Sequence, residues 1–174
     1  MKRVFTVCIL LLSLYGSAQG GQFEVTQSVG FLRVQIEDYP EKERRPILDY
    51  LDKSRLAADE AVTRLVTGRI DEFISDIAET TISVEEASKF IRDIYGMVTA
   101  SEYRGQSLET DGDVHNLSKA FAVTFYAIRS TRRPNEGLYL IVKTKPVGNE
   151  HRVFNAQFAE YIGDVPPWLL PQQK

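Results

Sequence analysis

Hydrophobic positions change period twice along the chain. From Ile47 the apolar residues Ile47, Leu48, Leu51, Ala58, Ala61, Val62, Leu65 and Val66 fall mostly at steps of three and four, which makes one stripe on a helix. Pro46 suits a first helical position, where a missing N–H costs nothing, and Gly68 suits the stop. Ile70, Phe73, Ile74, Ile77 and Ala78 predict a second, short helix. Ser83-Val84-Glu85-Glu86 is a capping-box sequence that opens a third, reaching Ala100. Its inner face carries Val84, Ala87, Ile91, Ile94 and Val98, with Phe90 and Met97 beside it.

After Tyr103 the period becomes two. Strands are expected over Tyr103–Leu108, Ala120–Arg129, Gly137–Lys145 and His151–Ile162, separated by the turn-forming Asp111-Gly112, Pro134 and Gly148-Asn149. Alternation assigns Phe121, Val123, Phe125, Ala127, Leu138, Leu140, Val142, Phe154, Ala156 and Phe158 to the inner face. The short links require antiparallel neighbours. Helices first and a strand meander second is an α+β pattern, with N-terminal helices packed on a curved antiparallel sheet. Upstream, Leu32, Val34 and Ile36 suggest one further strand, and residues 37–45, charged and carrying Pro40, read as a linker.

The first eighteen residues follow another pattern. Lys2 and Arg3 precede an uncharged apolar run, Val4 to Leu14, and Tyr15-Gly16-Ser17-Ala18 is a small-residue exit. This is the layout of a cleaved export signal, and the run is too short to span a bilayer. Removing it takes away two cations and moves the formal charge from -3 to -5. It also removes Cys8, the sole cysteine, leaving a chain without thiols that suits a periplasmic or extracellular setting. The expected organisation is a signal peptide (1–18), an N-terminal extension and linker (19–45), an α+β domain (46–162) and a C-terminal tail (163–174). No later stretch is apolar enough to span a membrane, and the negative balance gives no general attraction to nucleic acid. With 43% hydrophobic and 26% charged residues the chain has the composition of a globular domain.

Taken together, the short helix 69–79 after a longer one, the third helix, Tyr103-Arg104-Gly105 entering the sheet, and the strands ending at Tyr161-Ile162-Gly163 resemble the nuclear-transport-factor-2-like superfamily. The resemblance is one of layout over roughly Pro46 to Ile162, without a signature motif. It implies a cone-shaped, cystatin-like α+β fold. It leaves function open, because that superfamily contains isomerases, dehydratases and cyclases beside members with no chemistry.

Candidate chemistry is sparse. None of the inner-face residues ionises, so the titratable candidates are Asp111, Asp113, His115, His151, Glu160 and Asp164 at the edges. Two histidines and no cysteine after the signal offer no metal-ligand set, and no cofactor motif is present. The other sheet face is expected to carry Ala122, Thr124, Tyr126, Ile128, Tyr139 and Ile141 inside a polar rim, which has the composition of an interaction patch or of a surface covered by the chain's own termini. Arg129, Arg132, Arg133, Lys143, Lys145 and Arg152 concentrate basic charge near the last strands. The leading expectation is an exported, non-catalytic domain. It would hold a small apolar ligand among Phe90, Phe121, Phe125 and Phe158, or engage a protein, including a second copy, through Tyr126, Ile128, Tyr139 and Ile141. The alternative is an acid–base isomerase or dehydratase using His151 or an edge carboxylate.

Overall fold

The computed structural model describes residues 23–27, 32–35, 40–77, 82–110 and 116–159. The expected signal peptide and the C-terminal tail lie outside them, as do Asp111, Asp113, His115, Glu160 and Asp164.

Two short strands, β1 (Phe23–Gln27) and β2 (Leu32–Gln35), come first. Three helices follow: α1 (Glu41–Val66), α2 (Ile70–Ser75) and α3 (Val84–Ile94). Four longer strands complete the order: β3 (Val98–Thr110), β4 (Phe121–Ser130), β5 (Leu138–Val147) and β6 (Glu150–Ala159). They form one sheet in the order β2-β1-β3-β4-β5-β6. The meander β3 to β6 is antiparallel throughout, as the short links require, while β1 joins the β3 edge in parallel. The fold is α+β.

The helix α1 begins before the expected linker ends. Pro46 lies inside it, and Arg44 and Glu43 already donate to the Pro40 carbonyl. Glu41 and Glu43 favour the positive helix start, and residue 42, whose carbonyl loses its donor at position 46, is exposed. Along α1 the stripe gains Tyr50 and Ser54, two residues with polar atoms that complete the buried side between Leu51 and Ala58. In α3, the N–H of Glu86 donates to the Ser83 hydroxyl at 3.2 Å and the N–H of Ser83 to the Glu86 carboxylate at 3.3 Å, which is the expected capping box. The helix stops at Ile94 rather than Ala100. Gly96, at φ +71°, turns the chain directly into β3.

All three helices serve one side of the sheet. Val62, Leu65, Phe73, Ile91, Leu140 and Val142 belong to one buried cluster, and Ile47, Leu51, Leu108 and Ala122 extend it toward the start of α1. On β5 the expected inner residues Leu138, Leu140 and Val142 face the helices. On β4 the assignment reverses: Tyr126 and Ile128 pack with the helices, and Phe121, Val123, Phe125 and Ala127 turn to the opposite face. In β6 the pairing with β5 passes from Asn155 to Val153 and skips Phe154. This bulge puts Val153, Ala156 and Phe158 on the helix side and leaves Phe154 on the other. A second irregularity in β3 skips Arg104, between Tyr103 and Gly105. Both bend the sheet around the helices.

Candidate functional site

The face opposite the helices carries its own apolar cluster. Val123 and Phe125 of β4, Tyr139 and Ile141 of β5, and Ala159 at the end of β6 are buried together, with Phe121 and Ala127 beside them. Register explains the grouping, since Phe125 lies opposite Ile141, and Ala127 opposite Tyr139, which in turn faces Ala159. One rim is aromatic and cationic. Phe121 meets Phe154 edge-to-face at 5.6 Å, the Lys143 ammonium stands 5.3 Å from the Phe121 ring, and the Lys145 ammonium 4.6 Å from the Phe154 ring. Glu109 of β3 pairs with Phe121 on this face. Burial pushes its carboxyl above the ordinary carboxylate range, and the nearby Lys143 charge pulls it back. Glu109 lies one residue beyond the strand that alternation predicts over Tyr103–Leu108. Its inclusion in β3 follows from strand pairing that local composition does not report.

The residues expected to line a ligand hollow do not converge. Phe121 and Phe125 lie on this outer face, Phe158 stacks on Tyr95 at 4.5 Å on the helix side, and Phe90 is 54% exposed on α3. The expected interface set divides too: Tyr139 and Ile141 are on the outer face, while Tyr126 and Ile128 belong to the helix-side core. The basic residues divide: Lys145 and Arg152 lie opposite each other on β5 and β6, with Lys143 two residues along β5, while Arg132 donates to the Asp93 carbonyl and Arg133 pairs with Glu136 in the turn after β4.

Two polar arrangements join α1 to the sheet. At the first, the Ser54 hydroxyl and His151 Nδ1 are 2.6 Å apart, Tyr50 meets the imidazole edge-on at 4.5 Å, and the Tyr50 hydroxyl donates to the Ala120 carbonyl at 2.6 Å. Ser54 is 0% exposed. A nucleophile must reach its substrate, and this hydroxyl is sealed, so its role is to orient the imidazole. At the second, the Tyr126 hydroxyl donates to Asp59 at 2.5 Å, Arg55 reaches the other Asp59 oxygen at 3.5 Å, and the Arg55 guanidinium lies 4.1 Å from the Tyr103 ring. Burial, and then the bond to Asp59, push the Tyr126 phenol up, so it remains a neutral donor. Tyr50, Ser54 and Asp59 escaped the sequence reading because polar groups interrupt an apolar stripe, and only their partners on β4 and β6 explain them.

The His151 imidazole is held below its ordinary value, first by burial and then by the Lys53 charge, while Asp49 pulls the other way. The unfolded chain therefore takes up this proton before the folded one does. The contribution is present above the unfolded histidine value of about 6.5 and fades as pH falls toward the folded one. His151→Gln is expected to lose less thermal stability than the wild type between about pH 8 and about pH 5. Equal acid losses in thermal melts of the two proteins contradict the assignment.

Among the described residues no helix is long and apolar enough to cross a membrane. Comparison of the chain with protein-family models, with curated proteins and with solved structures yields no match.

Proposed function

We propose that the chain is an exported, non-catalytic binding domain that takes an extended protein segment on the sheet face opposite its helices. The observation that carries this reading is the second apolar cluster, Val123, Phe125, Tyr139 and Ile141, on a face that none of the described helices serves. A sheet built only to cover its helices needs one apolar face, and the other is normally polar. Here the second face has large aromatic and aliphatic side chains, with lysines over its outermost rings. That is the composition of a recognition surface for an apolar segment with acidic flanks. Export is supported by the leader pattern and by the absence of cysteine after it.

A small apolar ligand has less support, because its expected lining is spread over three surfaces. The acid–base alternative also has less support, since the Nδ1 of His151 is taken up by the fully buried Ser54 hydroxyl. The test is a selection of short random peptides on the immobilised full chain. Enrichment of aromatic and aliphatic peptides with acidic flanks is expected. Phe121→Ser with Lys143→Ser should weaken the selected peptides about tenfold or more, as loss of two contact residues would. Peptides indifferent to that pair, or no enrichment at all, overturn the reading.

A further inference from the structure

One end of the outer face, where β4 begins and β5 finishes, differs from the rest. Val123, Phe125 and Ile141 are buried, whereas Phe121, Lys143, Lys145 and Phe154 are half-buried and Arg152 is exposed. Three cations therefore stand at the reachable end of the face. Lys143 and Lys145 are two residues apart on β5, about 7 Å along the strand. Arg152 lies opposite Lys145 on β6, one strand spacing or about 5 Å across.

A lysine on a solvated strand ordinarily samples many rotamers. These two are held. The Lys143 ammonium stands over the Phe121 ring and the Lys145 ammonium over the Phe154 ring, and the two rings brace each other edge to face. The bulge at Phe154 is what brings the second ring to this side. Cations fixed in advance lower the side-chain entropy that a partner has to remove. Arg152 meets Glu150 at 3.4 Å, and both side chains are mostly exposed, so an incoming carboxylate can replace that contact at little cost. Glu109 lies near Lys143 and shares its charge, which leaves Lys145 and Arg152 as the stronger half of the group.

We propose that Lys143, Lys145 and Arg152 form a docking site for two carboxylates spaced two residues apart on an extended protein segment. The proposal rests on the reading of this face as a binding surface, and it names how the acidic end of the partner is read. In an extended chain, side chains at i and i+2 share one side and lie about 7 Å apart, which is the spacing of the two lysines. A segment running along β5 thus sets one carboxylate at Lys143 and the next between Lys145 and Arg152. Two adjacent acids cannot do this, because the second points away. A nucleic-acid strand would depend on stacking its bases against aromatic rings, and here both rings are engaged by ammonium groups and by each other. The pattern of charge is the recognition element.

The test is a chemical-shift titration of the isotope-labelled full chain with two synthetic peptides of equal composition and charge, Gly-Thr-Glu-Thr-Glu-Thr-Gly and Gly-Thr-Thr-Glu-Glu-Thr-Gly. The first should shift the backbone amides of Lys143, Lys145 and Arg152 at about fivefold lower concentration than the second, the effect of one exposed charge contact. Both responses should fade by about 0.5 M salt. In Lys145→Glu plus Arg152→Glu the glutamate peptides should lose their hold and Gly-Thr-Lys-Thr-Lys-Thr-Gly should bind instead, a gain that misfolding does not produce. Equal responses to the two isomers, or shifts confined to other residues, overturn the site. Shifts at these amides from anionic phospholipid vesicles, with no response to either peptide, also overturn it and assign the three cations to a charged surface. Isomers that are discriminated while the random-peptide selection enriches no apolar segment leave this site standing and remove the function proposed for the whole face. Apolar segments that bind while the isomers are not discriminated do the reverse.

Discussion

Tyr126→Asp is expected to leave the chain unfolded. Sequence alternation alone makes this a mild surface change, but Tyr126 is 3% exposed among the helix-side residues and donates to Asp59. The substitution removes a buried ring, which costs about 3–5 kcal/mol. It also sets a second carboxylate toward Asp59, in a place where an unpaired charge costs several more. The sum is comparable with the whole stability of an ordinary domain, about 5–15 kcal/mol. Tyr126→Phe keeps the ring and loses one hydrogen bond, so it should cost about 1 kcal/mol. Urea unfolding followed by far-ultraviolet circular dichroism separates the two. A Tyr126→Asp protein that unfolds at the wild-type midpoint would return Tyr126 to the outer face.

The second large effect belongs to Gly96. Its φ of +71° lies in the left-handed region, where a side chain costs about 1–2 kcal/mol. A Cβ there would also overlap the Thr131 hydroxyl and press on the Arg132 side chain. Neither neighbour moves freely: the Met97 N–H donates to the Thr131 hydroxyl at 3.0 Å, and the Thr131 and Arg132 N–H groups donate to the Met97 and Tyr95 carbonyls. We expect Gly96→Ala to cost about 3 kcal/mol, the sum of conformational strain and displaced contacts. Gly68 is the internal control. It has φ +81°, and its added Cβ would meet only the Met97 methyl at 3.6 Å, so Gly68→Ala should cost about 1 kcal/mol. Equal midpoint losses for the two variants would mean that the crossing at Gly96 has room to spare.

What could be read beforehand follows from how each element satisfies itself. The helix stripes, the Ser83–Glu86 box, the antiparallel meander and the β5 faces depend on spacing within a few residues, and each is present in the structure. β4 shows where spacing ran out. Phe121, Val123, Phe125 and Ala127 alternate with Ala122, Thr124, Tyr126 and Ile128, so both faces are apolar and the period alone cannot orient the strand. Aromatic content alone favours the Phe121 and Phe125 set inward. The polar atoms decide otherwise: Tyr126 finds Asp59 on α1, and Thr124 accepts from Gln106 at 3.0 Å in a buried pair on the helix side. The candidate interface was therefore half legible. Tyr139 and Ile141 were placed on the outer face by a strand whose other face is unambiguous, whereas Val123 and Phe125 needed β4's partners to be known. The inward assignment of Phe154 fails for a different reason, because an extra residue in one strand appears only when its neighbour is paired.

That extra residue has a consequence for variation. With Phe154 removed, Val153 and Ala156 would occupy the same helix-side rows, and the strand would simply alternate without interruption. The aromatic at this position is thus an addition to one surface that costs the opposite surface nothing. Single-residue deletion here should be far better tolerated by the hydrophobic interior than in central β4, and descendants of this chain are free to remodel the outer face while inheriting the interior intact.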